Sequence, residues 1–278
     1  MEKIGFMQGR LSAVVDGRIQ SFPWTSWQDE FEKGARLGFG LMEWTLDQER
    51  LYENPLLTEA GQAEIRSLCK LYRFAIPSLT GDCFMQAPFW KAHGAERETL
   101  ERDYIAIAKS CAAVGISMLV VPLVDKGRLD NPEQEEMLVA YLQRQAGFLA
   151  DNGLRVVFES DFVPSELARF IGRLDPVLFG INYDIGNSAA LGFNPVEEIA
   201  AYGSRIVNVH IKDRVLNGTT VPLGTGNADF KTVLAALAEV GYAGNYILQT
   251  ARAADGDHAG ALCRYRDMAV AWLNRHAP

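Results

Sequence analysis

Three residues of the types that bind divalent cations lie at the ends of short apolar segments. Glu159 closes the segment RVVFES, Asp184 lies in GINYDIGN, and His210 lies in IVNVHIKD. Burying a lone carboxylate costs free energy unless the group is paired or coordinates a metal. Three such residues at three successive segments therefore predict one shared divalent cation. Oxygen ligands with one imidazole suit Mn, Mg, Co or Zn, and the residue types do not choose among these metals.

Eight short apolar segments alternate with amphipathic stretches along the 278-residue chain. Several of them lack a polar–apolar alternation, which is typical of parallel strands covered on both faces. A spacing of about 35 residues per unit fits one strand, one helix and two loops. The pattern predicts an α/β fold, a single (β/α)8 TIM barrel over residues 1–278. The segments begin near Ile4, Phe39, Arg73, Ser117, Leu154, Phe179, Arg205 and Asn245.

Local signals place helices and two long connections between these segments. Asn131 followed by Pro132 predicts a helix start, and Asp229 predicts another. Residues 11–24 contain Asp16-Gly17, which predicts a hairpin turn, and residues 213–228 form a glycine-rich loop. In a barrel both connections lie on the face that carries active sites.

The ends of the predicted strands bring further polar side chains to the same mouth of the barrel. Four basic residues there, with the amides of residues 224–227, could bind a phosphate or carboxylate, or could instead be solvated or paired with acids. Six aromatic residues near the mouth could wall a sugar pocket or pack in the core. The polar residues are Gln8, Arg10, Glu43, Asp82, Asp125, Asn187, Lys212, Arg214, Gln249 and Arg252; the aromatic ones are Trp24, Trp27, Trp44, Phe84, Phe89 and Trp90.

Six short motifs follow one another along the chain in a characteristic order: IGFMQGRL, ES after RVVF, NYDIGNSAALG, NVHIKDR, PLGTGNADF and YILQTAR. In these motifs the chain resembles the xylose isomerase-like TIM-barrel sugar phosphate isomerases and epimerases over nearly its whole length. The resemblance implies one metal ion held by Glu159, Asp184, His210 and Gln249, with Glu159 as the acid/base group. It also implies a substrate site near the metal, for which the candidates are Gln8, Arg10, Glu43, Asn187, Lys212 and Arg252.

Two positions depart from the pattern of the better-known epimerases. Their last metal ligand is a glutamate that acts as a second acid/base group, where this chain has Gln249, and some relatives have a histidine where this chain has Asn187. An amide oxygen can bind a hard cation but cannot exchange a proton near neutral pH. We therefore expect isomerisation or elimination to exceed epimerisation.

The composition excludes some classes of binding partner. The chain has 27 Lys and Arg against 35 Asp and Glu, a net charge of −8, which argues against nucleic-acid binding. A resemblance to the DNA-repair endonucleases of this fold would imply a trinuclear zinc site with many histidine ligands. Four histidines are too few for such a site. The four cysteines form no CxxC pair, so reduced thiols are expected, and no signal peptide or membrane-spanning run is evident. These features predict a cytoplasmic protein.

Three functions remain open at this stage. The leading one is a metal-dependent isomerase or epimerase of a small sugar or sugar phosphate, acting through an enediolate. The second is a dehydratase or lyase of the same family, and the third is a carbohydrate-binding protein without catalysis. The sequence leaves open whether the protein forms a homo-oligomer.

Overall fold

A computed structural model describes residues 3–275, so residues 1–2 and 276–278 of the predicted barrel span lie outside the described residues. The strands in chain order are β1 Ile4–Met7, β2 Met42–Thr45, β3 Ser78–Thr80, β4 Met118–Leu123, β5 Arg155–Ser160, β6 Phe179–Asp184, β7 Ile206–Ile211, β8 Asp213–Arg214, β9 Thr220–Val221 and β10 Asn245–Leu248. All but β8 and β9 are parallel and close into a barrel in the order β1-β10-β7-β6-β5-β4-β3-β2. The predicted TIM barrel is confirmed.

Helices follow the barrel strands and cover the outside of the barrel. They are α1 Asp29–Arg36, α2 Glu59–Tyr72, α3 Asp82–Gln86, α4 Gly94–Val114, α5 Pro132–Arg144, α6 Ala146–Asp151, α7 Pro164–Gly172, α8 Ile185–Leu191, α9 Pro195–Tyr202, α10 Phe230–Glu239 and α11 His258–Asn274. No helix within residues 3–275 is long and apolar enough to cross a membrane.

The predicted helix starts are confirmed at atomic detail. The side chain of Asn131 accepts a hydrogen bond from the backbone N–H of Gln134 at 3.0 Å, ahead of Pro132 at the first helical position. Asp229 caps α10 in the same way, through the N–H of Thr232 at 3.0 Å. Each cap satisfies one of the N–H groups that a helix start leaves without an intrahelical partner.

All eight predicted strands are present, but two of them begin later than predicted. β2 begins at Met42 and β3 at Ser78, whereas the apolar segments begin near Phe39 and Arg73. Pro77 lies inside the segment that begins near Arg73, directly before β3, and proline has no N–H to donate to a sheet. Only one isolated bridge, Leu41 to Ala75, pairs the earlier residues.

Most of the aromatic residues near the mouth pack in the core. The rings of Trp44 and Trp27 lie 5.6 Å apart, and those of Trp44 and Phe22 lie 5.4 Å apart. Phe89 and Trp90 form a second contact at 5.1 Å, and Phe84 is also buried. Trp24 is half-buried and lies 4.0 Å below the guanidinium of Arg50, outside the main cavity. Core packing therefore accounts for these rings.

Both long connections are ordered by local contacts. In the first, Asp16 and Gly17 have φ values of 50° and 70°, and Arg18 N–H donates to the Val15 carbonyl at 2.9 Å, which confirms the predicted hairpin turn. In the second, β8 and β9 form an antiparallel hairpin. The buried carboxylate of Asp213 then accepts N–H groups from Gly224 at 2.8 Å, Gly226 at 2.9 Å and Ala228 at 3.1 Å.

We expect Asp213→Ala to lower the free energy of unfolding by about 2–4 kcal/mol, because three N–H groups lose a charged acceptor. Urea denaturation followed by circular dichroism measures this loss. The matched control is Asp229→Ala, which removes an exposed helix cap and costs about 1 kcal/mol. Equal losses in the two variants would contradict a special role of Asp213.

Candidate functional site

The three predicted metal ligands converge at the C-terminal mouth of the barrel. Glu159 is near the end of β5, Asp184 ends β6, and His210 is near the end of β7, with Asp184 and His210 opposite each other in the sheet register. One ligand atom of each residue lies within 4.8 Å of the others. His210 Nδ1 is 3.2 Å from Glu159 Oε2 and 3.9 Å from Asp184 Oδ2. All three residues are buried, so the strand ends bring a possible metal centre together.

A third carboxylate holds the other side of the imidazole. Glu43 on β2 is fully buried, and its Oε1 lies 2.7 Å from His210 Nε2. Its oxygens also accept hydrogen bonds from Ser78 Oγ at 2.5 Å, from Thr80 Oγ1 and from Asn208 Nδ2 at 2.9 Å. Glu43 was predicted to bind substrate, but it lies beneath the cavity and does not line it. It fixes the ring of His210, as a carboxylate behind a metal-binding histidine does.

The charges around His210 are strongly negative. Burial alone would lower the pKa of His210, but Glu43, Asp184 and Glu159 together raise it well above its usual range. Burial raises the pKa of Asp184, yet Lys212 and His210 hold it below its usual range. A set of buried carboxylates of this kind is stable only beside positive charge.

Lys212 supplies one positive charge at the mouth. Its Nζ lies 3.1 Å from Asp184 Oδ2, 3.1 Å from Asn187 Oδ1 and 3.2 Å from Gln249 Oε1. Gly186 leaves room for this side chain, because a Cβ there would lie 2.7 Å from Lys212 Cγ. Carboxylate and amide oxygens gathered on one cation are also the ligands that a hard divalent ion prefers. The donor set therefore fits such an ion.

Amide side chains orient Glu159. Asn187 Nδ2 donates to its Oε1 at 2.6 Å, and Asn182 Nδ2 donates to its Oε2 at 3.0 Å. Neither Asn182 nor Asn208 was predicted from the sequence. Each stands two residues before a predicted ligand, Asp184 or His210, and so points to the same face of its strand. That period-two spacing is the signal that would have found them.

A cavity of about 530 Å³ opens above these residues. Its size suits a small molecule, and its polar lining combines acids, amides and bases. Predicted residues that line it are Arg10, Asp82, Asp125, Glu159, Asn187, Lys212, Arg214 and Gln249. Gln20, from the loop after β1, lines it as well and was not predicted.

Two predicted substrate contacts lie elsewhere. The Arg252 guanidinium donates to the carbonyls of Gly9 and Ser12, and its side chain does not line the cavity. Gln8 is fully buried, and its Oε1 accepts the N–H of Thr45 at 3.0 Å. Both residues therefore stabilise the strand ends and the first loop. The backbone amides that were candidates for an anion site donate within the loop instead: those of Gly224 and Gly226 to Asp213, and those of residues 225 and 227 to backbone carbonyls.

Arg10 and Arg214 bring further positive charge to the cavity. Arg10 donates to the carbonyls of Thr250 at 2.9 Å and Ile19 at 2.8 Å, and burial with the neighbouring Arg252 lowers its pKa to about 9. Arg214 donates to Asn187 Oδ1 at 2.8 Å. Together with Lys212 these residues offset the carboxylates of the same cavity.

Across the cavity, two glutamines link Gln249 to an acid. Gln249 Nε2 donates to Gln20 Oε1 at 2.9 Å, and Gln20 Nε2 donates to Asp82 Oδ2 at 2.7 Å. Burial raises the pKa of Asp82 to about 7; Gln20 opposes the rise and Asp47 adds to it. Two of the four carboxyl groups that line the cavity, Glu159 and Asp82, therefore lie in unlike surroundings; the other two are Asp125 and Asp161.

The comparison with known proteins agrees with this geometry. The profile of the family described as xylose isomerase-like TIM barrel matches residues 31–267. The chain belongs to this family.

A curated relative and two solved structures are similar to the chain. Inosose dehydratase from Clostridium botulinum (strain Alaska E43 / Type E3) is 27% identical over 184 residues, which are 53% of this chain and 61% of that protein, so the match spans less than two thirds of the relative. D-allulose 3-epimerase from Methylomonas sp. has a TM-score of 0.75 at 18% identity, covering 98% of both chains. The IOLI protein with a binding zinc atom has a TM-score of 0.75 at 15% identity, covering 99% of both chains. The two structural likenesses establish the shared fold.

We expect Mn²⁺ or Zn²⁺ to raise the melting temperature of the protein, because an ion that binds only the folded state stabilises it by about 2.7 kcal/mol at 100 times its Kd. His210→Ala and Asp184→Ala should each abolish the shift, measured by differential scanning fluorimetry. His93→Ala, at an exposed helix start, serves as the control and should keep it. A full shift in both site variants would place the ion elsewhere.

Proposed function

We propose that the protein is a divalent-metal-dependent enzyme that removes a proton from the carbon next to the carbonyl group of a small sugar or related polyol. The observation that carries this proposal is the position of Glu159, whose carboxylate belongs both to the ligand cluster and to the cavity wall. The ion would be held by Glu159, Asp184, His210 and Gln249. When bound, such an ion polarises the substrate carbonyl and favours the enediolate.

The protein side chains prepare Glu159 for this step. Asn182 and Asn187 each donate one hydrogen bond to its carboxylate, so the group keeps a fixed direction as it accepts the proton. Glu43 keeps the His210 ring in place beneath it. Lys212 and Arg214 present positive charge to the cavity, where negative charge develops on the substrate oxygen.

The first candidate reaction is aldose–ketose isomerisation or epimerisation. Isomerisation needs only Glu159, which can move a proton between adjacent carbons on one face of the substrate. Epimerisation needs a proton carrier on the opposite face. Gln249 is no such carrier, because a neutral amide does not exchange protons near neutral pH. The fold shared with D-allulose 3-epimerase supports this class of substrate.

The second candidate is dehydration, in which the enolate expels a neighbouring hydroxyl group. Two observations favour it: the amide at Gln249 and the similarity to inosose dehydratase. The two reactions differ in mass, because dehydration releases one water while isomerisation conserves the atoms of the substrate.

We expect the Mn²⁺-loaded protein to incorporate solvent deuterium next to the carbonyl of one member of a panel of ketoses, aldoses, their phosphates and an inosose. NMR locates the exchanged carbon, and mass spectrometry separates isomerisation from loss of water. Glu159→Gln should lower the exchange rate by at least about 100-fold, since it removes the base while keeping the shape. Exchange at the wild-type rate in Glu159→Gln would exclude Glu159 as the base, and no exchange on any panel member in the wild-type protein would refute the enzyme proposal.

The cations of the cavity suggest an anionic substrate group, and Arg214 tests this. We expect Arg214→Ala to raise KM for a phosphorylated sugar about 10-fold relative to its neutral parent, which corresponds to about 1.4 kcal/mol. Arg252→Ala should leave the ratio of the two KM values unchanged, because its guanidinium binds backbone carbonyls. An equal rise for both sugars in Arg214→Ala would remove the phosphate from the proposal.

A further inference from the structure

A carboxyl group faces the proposed metal centre from the other side of the barrel. Asp82 begins α3 directly after β3, and its side chain lines the cavity that Glu159 also lines. In the order of the strands around the barrel, β3 stands four places from β7, which carries His210. In a closed ring of eight strands, four places is the opposite side. Glu159, on β5, stands two places from β3, so a substrate in the cavity can contact both carboxyl groups.

The turn that presents Asp82 has little freedom. A Cβ at Gly81 would lie 2.4 Å from the ring of Phe84 and 2.8 Å from the Val120 carbonyl, so only glycine fits between β3 and α3. The N–H of Gly81 also donates to the Val120 carbonyl at 3.0 Å. The backbone thus holds Asp82 at the cavity wall by close packing.

Hydrogen bonds fix the carboxyl group as well. Gln20 donates to Asp82 Oδ2 and accepts from Gln249, whose own oxygen faces Lys212. Neutral amides transmit orientation through such a chain but exchange no protons near neutral pH. Asp82 is therefore held in place without a protonic connection to the ligand cluster through these amides.

The surroundings of Asp82 keep it protonated to higher pH than an ordinary aspartic acid. Burial is the main cause of its raised pKa, which lies at about 7, and the charges of Asp47 and Glu159 act in the same direction, whereas Gln20 and Lys212 oppose it. A carboxylic acid that still holds its proton near pH 7 is suited to general acid catalysis. The charged groups on the surrounding elements are Arg10, Asp47, Asp125, Lys126, Glu159, Asp161, Lys212 and Arg214.

We propose that Asp82 is the general acid of this cavity and that it protonates a hydroxyl group leaving the substrate in a dehydration. The inference rests on the proposed function, because it needs the enolate that Glu159 generates. In the step, the enolate electron pair forms a carbon–carbon double bond as the neighbouring C–O bond breaks. The proton of Asp82 moves to the departing oxygen, and one water molecule leaves. Proton exchange with solvent then returns Glu159 to its anionic form and Asp82 to its acid form.

This arrangement separates the two proton transfers in space. Glu159 takes a proton on the side of the metal ligands, and Asp82 gives one on the side of β3. It also explains how an enzyme of this family works with an amide at Gln249, because the second titrating group stands at a different strand end.

The test compares two rates in one reaction. The Mn²⁺-loaded full-length protein is given the panel ketone at which it exchanges deuterium fastest, and both the exchange and the loss of water are followed. We expect Asp82→Asn to keep the exchange rate within about 3-fold while water loss falls by at least about 100-fold. In the wild-type protein, the ratio of water loss to exchange should decline as pH rises through about 7, where Asp82 loses its proton, and Asp82→Asn should abolish this decline.

Two controls make the result specific. Asp151→Asn changes an exposed aspartate at the end of α6, outside the cavity, in the same way and should keep both rates. Glu159→Gln should lose both rates together, which tests the proposed function separately from Asp82. Water loss at the wild-type rate in Asp82→Asn would overturn the inference, as would a parallel loss of exchange and water release.

Discussion

The hydrogen bond between Glu43 and His210 is the interaction on which the site depends. Both side chains are fully buried, and the two atoms that join them lie 2.7 Å apart. A buried charge of this kind is tolerable only when its remaining hydrogen-bonding capacity is used. Ser78, Thr80 and Asn208 supply those bonds to Glu43, and they come from the neighbouring strand β3 and from β7. Closing the barrel therefore brings these groups together and leaves Nδ1 of His210 facing Glu159 and Asp184.

The same constraint explains why the barrel interior at this level is polar. Asn182 lies between β5 and β7 and donates to Glu159, while its own oxygen accepts from Asn208 at 2.8 Å. The side-chain N–H groups of these asparagines donate to the buried carboxylates and so stabilise them as a group. The polar layer below the cavity thus fixes the direction of each group above it. Burying its polar groups costs free energy that an apolar layer would not cost.

Features that depend on contacts between residues close in the sequence can be predicted from it, whereas contacts between distant residues cannot. The eight strands and the caps at Asn131 and Asp229 follow from local patterns, and Glu159, Asp184 and His210 follow from their positions at strand ends. The sequence does not predict which basic side chains face the cavity, because a guanidinium can bind either a ligand or a nearby backbone carbonyl. Arg252 takes the carbonyls of Gly9 and Ser12, more than 200 residues away along the chain, and no local pattern encodes that contact. Asp82 was visible as a strand-end acid, but its link through Gln20 to Gln249 requires the closed barrel.

Charge explains why an amide at position 249 is compatible with a divalent ion. Around the cluster, Glu43, Glu159 and Asp184 carry three negative charges, and Lys212 carries one positive charge. With a neutral His210 the balance is two negative charges, which one divalent ion cancels. A carboxylate at Gln249 would add a charge that the ion could not match, so the ion would be a weaker Lewis acid toward an anionic enolate. As a proposed ligand, the Gln249 amide would supply an oxygen to the ion but no proton carrier. In the proposed dehydration the second proton carrier stands away from the ion, at Asp82, which burial keeps protonated to higher pH than an ordinary aspartic acid.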